Sequence, residues 1–126
     1  EQKALYHAAA AILSNQVVAL LASGYEMLEA CGFDTENARR ASAALVRGNV
    51  ENVIASGCVQ ALTGPIERGD LVTVEKHLQV IPAQGKEMYI ALAREQIRLA
   101  KKKNPHRDYT DMECLLADEK EKETKQ

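Results

Sequence analysis

Lys3, His7, Ser14 and Asn15 interrupt an opening segment built largely of Ala and Leu. At about 100° per residue, a continuous helix brings Lys3, His7 and Ser14 within about 40° of one another, with Asn15 roughly 80° from His7. A lysine and a histidine one turn apart can orient or protonate a carbonyl or imine, while Ser14 and Asn15 can hydrogen-bond a polar substrate group. The same residues also suit a structural role. Lys3 and His7 would then stand at the solvated start of the helix, with Ser14, Asn15 and Gln16 satisfying backbone groups inside a bundle.

The second constellation is Thr63-Gly64-Pro65-Ile66-Glu67-Arg68-Gly69-Asp70. Its two glycines permit tight turns and close approach of a ligand or partner backbone, and Arg68 offers a planar fork for a carboxylate or phosphate. Thr63, Gly64, Pro65 and Arg68 are thus candidate substrate contacts. The structural alternative is that Pro65 fixes the turn, Asp70 caps the next helix and Arg68 pairs with an acid across the loop. The embedded Arg68-Gly69-Asp70 tripeptide reads as a chance match to a cell-attachment motif.

Other chemistry has little footing. His77 and His106 lack ligand-spaced partners, so no metal site is expected. Tyr6, Tyr25 and Tyr89 read as amphipathic residues at the core edge. Cys31, Cys58 and Cys114 form no CxxC pair, and Cys31 near a helix C-terminus faces the end of the dipole that disfavours a thiolate. Without a GxGxxG, Walker or GxSxG motif, no cofactor-binding residue is expected within this chain.

The elements that must position these residues are helices. Leu5 to Cys31 reads as one long helix, apolar on nearly every face and stopped by Gly32, so its polar residues are expected to be buried in a bundle or at a subunit interface. Asp34 or Thr35 caps a second helix, which passes Gly48-Asn49 and continues to Leu62 as one bent helix or two consecutive ones. A third runs from about Leu71 to Val80. A fourth follows Pro82, carries Met88, Leu92, Ala93, Ile97 and Leu99 at helical spacing, and ends in Lys101 to Lys103, where cations complement the macrodipole. Beyond Asn104-Pro105 the pattern weakens to a short helix around Thr110 to Ala117 and a charged tail expected to be disordered. The fold class is all-α, a bundle of about five helices around the long apolar first helix. Residues 1–104 form its domain and 105–126 an appendage.

Length and charge narrow the function. The chain has 126 residues, 46% of them hydrophobic and 27% charged, which fits one domain. Sixteen Lys and Arg against 18 Asp and Glu give a formal charge of −2, without the basic excess that a nucleic-acid backbone calls for. Uninterrupted apolar runs stop at Ala8 to Leu13 and Val17 to Ala22, so no membrane span is expected, and the reduced cysteines suit a cytoplasmic location. Because the sequence opens on Glu1 inside a helical pattern, a fragment of a longer protein is expected.

Lys3 to Ala10, then Ser14-Asn15, then Ala61-Leu62-Thr63-Gly64-Pro65 with Arg68-Gly69-Asp70, resemble the domain of unknown function 2520 family over roughly residues 1 to 100. The resemblance implies a helical C-terminal domain, like that of 6-phosphogluconate dehydrogenase, attached to a Rossmann-like domain that binds NADP or NAD. It further implies a substrate-cap and homodimerisation role, with the parent reducing a carbonyl or imine of a small-molecule substrate. Reductases of this broader class place a lysine on the first helix with an asparagine one turn later. Here His7 stands at that spacing from Lys3, and Asn15 lies further on, so Lys3, His7 and Asn15 together are the catalytic candidates and Ser14 a substrate contact. The rival readings are a non-enzymatic helical dimerisation or interaction module, and a sensor that binds a metabolite without turning it over.

Overall fold

The computed structural model describes residues 1–124. Those residues form α-helices and connecting turns without strands, in agreement with the all-α expectation. The chain divides into two compact units, Glu1–Val46 and Arg47–Gln126.

In the first unit α1 spans Gln2–Leu13 and α2 spans Asn15–Ala30. The expected single helix is interrupted at Ser14, whose backbone lies at φ −128° and ψ −76°. The cause is local. Ser14 Oγ donates to the Ala10 carbonyl at 2.5 Å, and such back-bonding to the preceding turn bends helices. At the other end of α2, Gly32 (φ 100°) donates to the Glu29 carbonyl while the Phe33 amide reaches back to that of Leu28, the stop expected from the glycine. Asp34 then caps α3, Thr35–Ala61: Oδ1 accepts from the Asn37 amide and Oδ2 from the Asn37 side chain, both at 2.8 Å.

Burial of the first helix is not found. Neither α1 nor α2 contains a buried residue, and Leu5, Leu13 and Val18 are 71%, 78% and 69% exposed. The first-helix region is therefore not the centre around which a core is built. By length and composition Gln2–Ala30 is long and apolar enough to cross a membrane, with a mean hydropathy of 1.5 over its most apolar 18 residues. Short apolar runs conceal this, because Ser14, Asn15 and Gln16 break the run while alanines keep the average high.

The second unit contains the remainder of α3, then α4 (Pro65–Arg68), α5 (Leu71–Val80), α6 (Ala83–Lys103) and α7 (Thr110–Thr124). The break in α3 falls at Gly57 (φ 81°, ψ 163°), not at Gly48-Asn49. Helix α4 packs on α5 and α6, and α7 packs on the same two helices. Their shared core comprises Ile66, Val74, Leu78, Ile90, Ala93, Ile97, Ala100, Tyr109, Met112 and Leu116. On α6 the buried stripe is Ile90, Ala93, Ile97 and Ala100; of the expected set only Ala93 and Ile97 belong to it, and Leu92 is exposed.

The C-terminal segment departs most from expectation. Tyr109, Met112 and Leu116, spaced three and four residues apart on one helical face, are full members of the core, so α7 is a structural element of the unit. It continues past Ala117 through the charged residues to Thr124. The last two residues of the expected disordered tail lie outside the described residues.

Candidate functional site

The two constellations belong to different units. Lys3 and His7 stand one turn apart on α1, as the spacing requires, and both are exposed; the His7 ring lies 6.2 Å from that of Tyr6. Ser14 sits in the break and Asn15 opens α2, so the single polar stripe computed for a continuous helix does not exist as such. The Ser14 hydroxyl is committed to the Ala10 carbonyl, with Asn15 Oδ1 a further 3.3 Å contact.

In the second unit Thr63 to Asp70 forms a structured turn. Gly64 takes φ 102°, Pro65 starts the one-turn helix α4, and Gly69 (φ 70°) ends it with the Asp70 amide bonded to the Pro65 carbonyl. Asp70 caps α5 as the sequence indicates, accepting from the Thr73 amide at 3.1 Å and the Thr73 hydroxyl at 2.7 Å. These bonds hold its carboxyl below the usual aspartate value. Thr63 and Arg68 are exposed, Gly64 and Pro65 half-buried.

What fixes the turn comes from far along the chain. Tyr109 Oη donates to the Glu67 carbonyl at 2.5 Å, and Arg107 donates to the same carbonyl at 2.8 Å. Asn104 Nδ2 donates to the Glu67 carboxylate at 2.9 Å and to Tyr109 Oη at 3.0 Å. Lys103 Nζ donates to the carbonyls of Leu62 at 2.6 Å and Gln60 at 3.2 Å, meeting the negative end of α3. Sequence reasoning missed Lys103, Asn104, Arg107 and Tyr109 because their partners lie about forty residues away. The one local signal was the helical spacing of Tyr109, Met112 and Leu116.

A further polar pair joins α5 to α6. His77 Nδ1 and Tyr89 Oη are 3.0 Å apart with their rings edge to face, and burial pushes the Tyr89 phenol above its ordinary value. Two of the open hollows on the described surface stand out. One of about 580 Å³ surrounds the start of α3 and is lined by Gly32, Phe33, Asp34, Asn37, Arg40 and Ala41. The other, of about 610 Å³, is lined by Lys103, Asn104, Pro105, His106 and Arg107. Neither includes a residue singled out as catalytic.

The family described as Domain of unknown function (DUF2520) matches residues 1–96. The chain belongs to this family. The match takes in both constellations and ends within α6, so the residues that grip the Thr63–Asp70 turn, and all of α7, follow the matched segment. Comparison with curated proteins and with solved structures returned no match.

Proposed function

We propose that this DUF2520 chain is the helical substrate-cap and dimerisation domain of an NAD(P)-dependent reductase-like protein. The observation that carries the reading is the surface of α1 and α2: two helices without a buried residue, and without an Asp, Glu, Lys or Arg from Ala4 through Tyr25. An uncharged apolar surface of this kind marks a protein or membrane contact, and the polar Ser14, Asn15 and Gln16 within it favour a protein. A cleft formed there would have Lys3 and His7 at its edge, to orient a carbonyl or imine and hold a proton at its oxygen or nitrogen, with Asn15 contributing a polar contact. The described residues offer no glycine-rich strand-to-helix turn for a dinucleotide. In this reading NADP or NAD is held by a separate Rossmann-like domain and supplies the hydride.

A non-enzymatic interaction module is the second reading, favoured by the commitment of Ser14 to the Ala10 carbonyl and by the exposure of Lys3, His7 and Asn15. Replacing His7 and Asn15 by Ala in the polypeptide that carries the nucleotide domain separates the two. Lost NADPH turnover with unchanged association supports the reductase, and lost association alone supports the module. A parent sequence without a glycine-rich strand-to-helix turn would overturn the oxidoreductase reading.

A further inference from the structure

The segment formed by the last turn of α6 and its connection to α7 carries charge that the function proposed above does not use. From Lys101 it runs Lys-Lys-Lys-Asn-Pro-His-Arg-Asp, a concentration of cations in a chain whose formal net charge is −2. It borders the shallow open hollow lined by Lys103, Asn104, Pro105, His106 and Arg107. We propose that this hollow binds a small polyvalent oxyanion of the phosphate or pyrophosphate class.

Two of its cations are already fixed in place. Lys103 Nζ is anchored on two carbonyls, and Arg107 is anchored through NH1 on the Glu67 carbonyl, its Cδ 3.8 Å from where a Cβ on Gly69 would lie. A guanidinium has five N–H donors, so holding one leaves another edge for a bidentate contact with an oxyanion. A cation ordered beforehand also loses less conformational freedom when a ligand arrives. His106, exposed beside them, supplies a further ring N–H.

Two of the segment's cations have carboxylate partners: Lys101 pairs with Glu113, and Arg107 NH1 lies 3.9 Å from the Glu67 carboxylate, which also accepts from Asn104. Asp108 accepts from the amide and hydroxyl of Thr110 at 2.8 and 2.6 Å. Neither Glu67 nor Asp108 lines the hollow. Lys103, His106 and Arg107 all line one open hollow, and a guanidinium fork with an ammonium and an imidazole in the same lining suits a ligand with several oxygen acceptors better than a single carboxylate.

The test is titration of the full chain with inorganic pyrophosphate at low ionic strength, followed by amide shifts in nuclear magnetic resonance. Saturable shifts centred on residues 101–108 are expected. Arg107→Lys, which keeps the charge but loses the fork, is expected to weaken binding about tenfold, and His106→Gln by a smaller factor. Arg94→Gln, which removes an exposed charge elsewhere on α6, is expected to leave binding unchanged. If Arg107→Lys disturbs the fold, His106→Gln carries the test alone, because its side chain is exposed. Absence of saturable shifts by about 10 mM pyrophosphate, or equal weakening by Arg94→Gln, would overturn the proposal. Co-sedimentation with phosphatidylglycerol vesicles without a response to pyrophosphate would also overturn it, by assigning the cations to a lipid surface.

Discussion

The hydroxyl of Tyr109 donates to the backbone carbonyl of Glu67 across an interval of 42 residues, at 2.5 Å, and accepts from Asn104 Nδ2 at 3.0 Å. One phenol thereby ties the start of α7 to the turn at α4 and to the end of α6. Its ring is buried against the shared core, so the polar bond and the apolar burial depend on each other. Tyr109→Phe is expected to keep the packing and lose the bond. With the Glu67 carbonyl still served by Arg107, the cost should be about 1 kcal/mol, read as a lower urea midpoint with an unchanged slope. A midpoint equal to the parent's would place the turn's stability in Arg107 and Lys103 instead.

Leu116 is fully buried on α7 although it follows the segment that matches the family. Leu116→Ala is expected to destabilise the second unit by roughly 2–5 kcal/mol, the usual range for a buried leucine truncation. A chain ending at residue 96 should fail to fold that unit, since it lacks Ile97, Ala100, Tyr109, Met112 and Leu116 of the core as well as Lys103, Asn104 and Arg107. Circular dichroism and amide hydrogen exchange on the truncated chain measure this. Native-like protection in Leu71–Val80 would contradict it.

How much of this was legible in the sequence follows from the range of each interaction. The extent of α5, its Asp70 cap and the stop at Gly32 are set by residues within a turn or two and could be read from the chain, and the cap of α3 could be narrowed to Asp34 or Thr35, of which the structure uses Asp34. Gly48 and Gly57 both lie in a helical pattern, and glycine alone does not say which leaves it; only Gly57 adopts a positive φ. The break at Ser14 was hidden because an i−4 back-bond needs no unusual sequence, only a serine. The grip on the Thr63–Asp70 turn was illegible for another reason, since Lys103, Asn104, Arg107 and Tyr109 find their partners through the tertiary fold.

Asp70 and Asp108 each sit at the start of a helix, and both carboxyls are held below the ordinary value of 3.8, first by a side-chain bond, to Thr73 and Thr110 respectively, and then by a backbone bond to the same residue. A depressed folded value means that the unfolded chain binds more protons between the two values, so stability rises with pH there. The contribution is complete above the ordinary aspartate value and is lost as pH falls through the lower folded value. Thermal melts from neutral to strongly acidic pH should show this loss, and Asp70→Asn should flatten it. An acid limb unaltered in Asp70→Asn would assign the loss to other carboxylates. At the alkaline end the sign reverses. Burial raises the Tyr89 phenol, so its contribution is present below pH 10.0 and is lost as pH rises through the folded value.

Ser14→Ala removes the bond that draws Ser14 onto the Ala10 carbonyl and installs the better helix former. The expected result is a continuous helix through residue 14, with a gain of about 0.5 kcal/mol in local helix stability. Hydrogen exchange of the amides from Asn15 to Val18 should slow. If those amides exchange as in the parent, the break is imposed by packing between α1 and α2 and not by the serine hydroxyl.

Leu13 and Val18 flank the break, and both are more than two-thirds exposed. If the uncharged surface of α1 and α2 meets a second copy, each residue occurs twice in an isologous contact, so one substitution places two charges at one interface. Leu13→Glu and Val18→Glu should then each weaken self-association about a hundredfold or more, since each buries a carboxylate without a partner. Sedimentation equilibrium of the full chain reads this directly, while Val72→Glu, on an exposed position of α5, serves as a control for added charge. A parent chain that is monomeric at high micromolar concentration, yet partitions onto neutral phosphatidylcholine vesicles, would instead identify the cover as a bilayer, for which Gln2–Ala30 has the length and hydropathy. The polar break at Ser14, Asn15 and Gln16 argues for a protein surface, because side-chain amides and backbone groups freed there can be paired by a protein and not by hydrocarbon.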